Sequence, residues 1–83
     1  MAYELLIHKK AQKKFEALGD SELKKRLAEV FGLLSEPFTL DTIKLQGQPN
    51  GYRTRVGKYR ILMKIEGNTV YIVDFDVRGK VYK

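Results

Sequence analysis

The stretch Gly51-Tyr52-Arg53-Thr54-Arg55-Val56-Gly57-Lys58-Tyr59-Arg60-Ile61-Leu62-Met63 restricts what this chain can fold into more than any other. Tyr52 to Val56 alternates, as does Tyr59 to Ile65, and Gly57-Lys58 between them suits a two-residue hairpin turn with glycine first. Such a turn sets Val56 opposite Tyr59, Arg55 opposite Arg60 and Arg53 opposite Leu62. Directly paired residues share a face of the sheet, and side chains alternate along each strand. Tyr52, Thr54, Val56, Tyr59, Ile61, Met63 and Ile65 are therefore predicted on one face. Arg53, Arg55 and Arg60 are predicted together on the other.

Like charges directly across a ladder destabilise it. A chain that keeps Arg55 opposite Arg60 either solvates them or holds them for an anion. The distribution of charge favours the anion. From Lys44 to Ile65 the basic residues are Lys44, Arg53, Arg55, Lys58, Arg60 and Lys64, with no aspartate or glutamate. Residues 1–43 carry seven basic and seven acidic side chains, and residues 66–83 carry three of each, so the net charge of +6 sits in the central segment. A solvated face mixes signs more often; a concentrated positive field is the footprint of a phosphate-bearing or acidic partner.

With 83 residues the chain is expected to form one domain, 1–83, with a single small core. It has no cysteine and one histidine, which leaves no disulfide and makes a zinc site improbable. No stretch approaches the roughly 20 apolar residues of a membrane-spanning helix, and no signal peptide is recognisable. No membrane partner is expected, and the cytoplasm is the expected location.

In chain order, Tyr3 to Ile7 reads as a strand, with Leu5, Leu6 and Ile7 suggesting burial on both faces. His8 falls at the junction to a helix over Lys9 to Leu18, where Ala11, Phe15 and Leu18 form an apolar face and Gly19 can end the helix in the left-handed conformation. Lys9, Lys10, Lys13 and Lys14 are expected in solvent. Asp20 or Ser21 can cap a second helix, on which Leu23, Leu27, Val30, Phe31 and Leu34 keep the helical period until Pro37 forces an end near Ser35. Phe38 to Asn50 reads as a connection around Ile43-Lys44-Leu45. After Ile65, Gly67-Asn68 marks a second tight turn, and Val70 to Phe75 is a strand apolar enough for a central position. A regular hairpin there pairs Arg60 with Phe75 and Leu62 with Val73. This would set aromatic and aliphatic side chains, and no histidine or carboxylate, beside the arginines. Arg78 lies just past that strand.

The order of strand, helical hairpin and antiparallel strands resembles the RelE/ParE superfamily of toxins. The residues carrying the resemblance are Lys44-Leu45-x-Gly47, then Tyr52-Arg53-x-Arg55-x-Gly57-x-Tyr59-Arg60, then Arg78-Gly79-Lys80-Val81-Tyr82, and together they span nearly the whole chain. The resemblance implies a RelE-like α+β fold: an N-terminal strand, a two-helix hairpin, and a three-stranded antiparallel meander completing one sheet packed on the helices. It also implies a toxin of a type II toxin–antitoxin system. RelE-type toxins cut messenger RNA in the ribosomal A site without metal or cofactor, the ribose 2′-OH attacking the adjacent phosphate. An acidic antitoxin of the RelB type blocks them.

Carried over residue by residue, the resemblance implies catalytic roles for Arg53, Arg55, Arg60, Arg78 and Tyr82. Arg53 and Arg60 would stabilise charge gathering on the phosphate oxygens, and Arg78 the leaving 5′-oxygen. Tyr82 would stack on a base, the competing role being a core anchor for the tail. Lys44, Lys58, Lys64 and Lys80 are candidates to contact the RNA backbone. The chain departs from the family where many members carry lysine at the positions of Arg53 and Arg55. The second of those lysines is a candidate general base, and arginine almost never gives up its proton. Two other readings share the fold: a ParE-like inhibitor of DNA gyrase, and an inactive relative that only binds its antitoxin.

Overall fold

In the computed structural model, which describes residues 2–77, strand β1 spans Glu4–Ile7 and turns at His8 into helix α1, Lys9–Glu16. His8 serves the junction: its Nδ1 accepts the Lys10 N–H at 3.1 Å, satisfying a donor that the first helical turn leaves open. The helix stops at Glu16, short of the predicted Leu18. The Ala17 N–H still bonds the Lys13 carbonyl and the Leu18 N–H bonds that of Phe15. Gly19 keeps out of the left-handed region expected of it, because this tightened last turn ends the helix before reaching it. Helix α2, Ser21–Leu33, is capped as predicted by Asp20, whose carboxylate accepts from the N–H groups of Glu22 and Leu23 at 3.0 and 3.2 Å.

Four more strands follow: β2 (Asp41–Lys44), β3 (Gly51–Val56), β4 (Tyr59–Glu66) and β5 (Thr69–Val77). The sheet runs β1-β5-β4-β3-β2, with β1 parallel to β5 and the other pairs antiparallel. The α+β class and the order of elements agree with expectation, but the sheet has a fifth strand. β2 lies inside the segment read as a connection. It is short and sits at the edge, so it lacks a long apolar run. A hydroxyl relay holds it: Thr42 Oγ1 donates to the Pro37 carbonyl at 2.6 Å, and the fully buried Thr54 bonds Thr42 at 2.7 Å. Each hydroxyl has one proton. With that of Thr42 committed to Pro37, Thr54 is the donor between the two.

The β3–β4 hairpin has the predicted register, with Val56 opposite Tyr59, Arg55 opposite Arg60 and Arg53 opposite Leu62. Gly57 takes a φ of 59°, which glycine adopts at little steric cost. The inner face carries Thr54, Tyr59, Ile61, Met63 and Ile65, all buried, continued by Val70, Ile72 and Phe75 on β5. Ala11, Leu27, Val30, Phe31 and Leu34 of the helical hairpin close over it, with the Phe31 and Phe75 rings 5.6 Å apart. Burying each large aliphatic side chain here contributes roughly 1.5–3 kcal/mol. β1 is not buried on both faces as predicted. It is an edge strand, and Leu6 and Ile7 stay exposed.

The second hairpin departs from the regular register. Its pairing runs from Glu66–Thr69 to Met63–Ile72 and then shifts, so that Leu62 faces Asp74, Ile61 faces Phe75 and Arg60 faces Asp76. Val73 is the extra residue of a bulge. A bulge changes which residues face inward beyond it. Phe75 and Val77 therefore continue the inner face, and Asp74 and Asp76 turn outward. The expected pairing of Arg60 with Phe75 and Leu62 with Val73 does not occur, because it would bury two aspartates and expose a phenylalanine.

Candidate functional site

The helices cover the inner face, and the outer face carries the predicted basic residues. Three cross-strand rows follow from the register. The first is Leu6, Tyr71, Lys64 and Gly51, and the second is Asp74, Leu62, Arg53 and Ile43. The third is Asp76, Arg60, Arg55 and Asp41. The like-charge pair Arg55–Arg60 is thus flanked by an aspartate on each side, which offsets its repulsion. None of these carboxylates lies in the segment 44–65; the sheet brings them in from either side of it. The expected absence of carboxylates beside the arginines is corrected by that register.

Arg53 and Arg60 are both half-buried, and they line one cavity of about 330 Å³ together with Lys14, Leu45, Leu62, Asp74, Phe75 and Asp76. Among the described residues neither arginine has an ion-pair partner within 4.0 Å. The Nε of Arg53 is buried with no hydrogen-bond partner among the described residues. A buried donor left unsatisfied costs about 1–3 kcal/mol, and an incoming acceptor would recover it. Two guanidinium forks on one cavity suit the oxygens of a phosphate. Arg55 is more exposed and stands 3.7 Å from the Asp41 carboxylate; a pair this exposed adds about 0–1 kcal/mol.

Lys14 is exposed, as expected, but it also bonds the Asp74 carboxylate at 3.1 Å and the Phe75 carbonyl at 2.7 Å, while Lys10 stands 3.9 Å from Asp74. The cause is backbone accounting. β1 pairs with β5 only as far as Ile72, so beyond it the edge of β5 has unpaired groups. The Asp74 carboxylate takes the Phe75 N–H at 2.8 Å and Lys14 takes the Phe75 carbonyl. Burial alone would raise the pKa of Asp74. It is outweighed by the Lys14 hydrogen bond, the Phe75 N–H and the charges of Lys14 and Lys10, which hold the carboxyl below its ordinary value of 3.8. One sequence signal of this arrangement exists. The inward apolar residues run Val70, Ile72, then Phe75, Val77, and the change of parity marks the bulge.

The other predicted residues scatter. Lys64 shares the outer face, one row from Leu62. Lys44 borders a separate cavity in the loop 44–49. Lys58 sits in the hairpin turn, its Nζ 5.9 Å from the centre of the Tyr59 ring. Arg78, Lys80 and Tyr82 lie outside the described residues. Among the described residues no three histidine, aspartate or glutamate side chains converge as a metal site, and no helix is long and apolar enough to cross a membrane.

Comparison with known proteins adds to this geometry. Residues 5–82 match the model of a family described as the ParE toxin of type II toxin–antitoxin systems, parDE. No curated protein sequence matches the chain. Several solved structures share the fold. A chain of the archaeal RelE–RelB complex from Pyrococcus horikoshii OT3 is 29% identical with a TM-score of 0.70, covering 98% of this chain and 100% of that one. A chain of the toxin–antitoxin complex RelBE2 from Mycobacterium tuberculosis is 26% identical with a TM-score of 0.79, over 94% of this chain and 100% of that one. A chain of the intact E. coli RelBE toxin–antitoxin complex is 27% identical with a TM-score of 0.58, over 99% of this chain and 100% of that one.

Proposed function

The chain belongs to the ParE toxin family of type II toxin–antitoxin systems, within the RelE/ParE superfamily, and from that premise we propose that it is a ribosome-dependent messenger RNA endonuclease. One observation carries this reading. Arg53 and Arg60 converge on one outer-face cavity without ion-pair partners among the described residues. In the proposed reaction the ribose 2′-OH attacks the adjacent phosphate in the A site. Negative charge then gathers on the non-bridging oxygens, and preorganised donors stabilise it as it develops. Arg53 and Arg60 take that role, and Arg55 binds backbone phosphate beside them. Lys64 extends the positive track along the same face. For Arg78, Lys80 and Tyr82 the proposal rests on the motif alone. The match to the ParE toxin family keeps a second reading on the same fold, the ParE-like inhibition of DNA gyrase that the resemblance implies. Pulse-labelling after induction separates them. An endonuclease stops protein synthesis first and an Arg60→Ala variant relieves the arrest, whereas a gyrase inhibitor stops DNA synthesis first.

The partner we propose is an acidic, amphipathic antitoxin of the RelB type that covers this outer face. Leu6, Ile43, Leu62 and Tyr71 are exposed there beside Arg53 and Arg60, so apolar contact and opposite charge are both available. The similar chains from P. horikoshii and E. coli come from a RelE–RelB complex and a RelBE toxin–antitoxin complex. A pull-down from the native host should recover a small acidic protein; recovery of none would contradict the proposal.

A further inference from the structure

We propose that Asp76 is the general base of the cleavage reaction, taking the proton from the attacking ribose 2′-hydroxyl; this rests on the endonuclease reading above. That reading needs a group to accept the proton, and the arginines cannot do so, since guanidinium keeps its charge throughout. The bulge at Val73 supplies the alternative. By shifting the phase of β5 it turns Asp76 to the outer face as the register partner of Arg60, on the cavity that Arg53 and Arg60 share.

The groups facing this cavity come from every element around it: Lys14 on α1, Arg53 on β3, Arg60 on β4 and Asp74 on β5. Asp74 is the other carboxylate, but its position suits a different task. It is opposite Leu62, bonded by Lys14 and by the Phe75 N–H, and it closes the edge of β5 against α1. Asp76 instead shares a row with Arg60 and Arg55, the row where a phosphate held by Arg60 would lie. In the reaction the 2′-oxygen forms its bond to phosphorus as its proton passes to the Asp76 carboxylate. The bond from phosphorus to the 5′-oxygen breaks, and that oxygen keeps the electron pair and takes a proton from water. The products are a 2′,3′-cyclic phosphate and a 5′-hydroxyl, and Asp76 returns its proton to solvent.

The test uses ribosomes stalled on a defined message, with Asp76→Asn and Asp76→Ser beside the parent. Cleavage should fall by roughly 100-fold or more, the lower range for a lost general base. Affinity for ribosomes carrying a 2′-deoxy message, which cannot be cut, should stay within about twofold of the parent, since the arginines that bind phosphate are untouched. Asp76→Glu should recover part of the lost rate, because it restores a carboxylate. Cleavage by both variants at the parent rate, or a loss of rate matched by an equal loss of affinity, would overturn the inference while leaving the endonuclease reading in place. A parent chain that leaves the message intact would instead remove that reading, and this inference with it.

Discussion

The two faces of one sheet obey opposite rules. On the inner face Ile61, Met63, Val70 and Ile72 are buried against the helices, and the one buried hydroxyl, Thr54, has its bond to Thr42. On the outer face, one residue along the same strands, Arg53 keeps a buried Nε without a partner among the described residues, and Arg60 stands in the same cavity with no ion pair there. The inner face is complete as it stands. The outer face holds donors aimed at something the described residues do not supply. Satisfied groups belong to the fold, and unsatisfied ones on the same strands mark where a ligand is due.

Single substitutions at adjacent positions of β4 should separate the faces. Ile61→Ala, on the inner face, should cost about 2–5 kcal/mol, a large share of the roughly 5–15 kcal/mol that holds a domain together. Urea denaturation measures it directly, and a loss below about 1 kcal/mol would mean the inner face is not the core. Arg60→Ala, one residue away, should leave stability within about 0.5 kcal/mol. It should lower cleavage by about 10²–10³-fold, the range for losing one preorganised donor to a developing oxyanion. A destabilised but active Arg60→Ala variant would break the division.

The next effects sharpen the comparison. Thr54→Val keeps the shape but removes the donor to Thr42, and should cost about 1–3 kcal/mol. It should also loosen β2, seen as faster amide exchange over residues 41–44. The smallest effect concerns Asp74. Its pKa is lower folded than unfolded, so its contribution is present above the ordinary carboxylate value of 3.8 and is lost as pH falls below it. Asp74→Asn should therefore be less stable than the parent at neutral pH, with the difference shrinking as pH falls below 3.8. A constant difference across that range would show that Lys14 and the Phe75 N–H do not hold the charge.

The sequence carried the hairpin because its information is local. Alternation on both sides of Gly57-Lys58 sets the register without reference to the rest of the chain, and that register is the one observed. It also carried the positions of Arg53 and Arg60. What stayed hidden was non-local. β2 exists because Thr42 meets Thr54, and four residues at an edge give no period to read. The bonds of the exposed Lys14 were hidden because its partners lie about 60 residues away, at an edge left open where β1 ends. The carboxylates beside the arginines were concealed by a single extra residue. The step from Ile72 to Phe75 recorded it, but a regular hairpin from Gly67-Asn68 overrode that sign.

The most direct measurement is primer-extension mapping of message in a reconstituted translation reaction, with the purified chain, with Arg60→Ala and with neither. Discrete cuts within A-site codons are expected, dependent on ribosomes and nearly abolished by Arg60→Ala. Intact message under normal translation, or cuts of equal strength with Arg60→Ala, would contradict the assignment of the outer-face arginines to RNA cleavage.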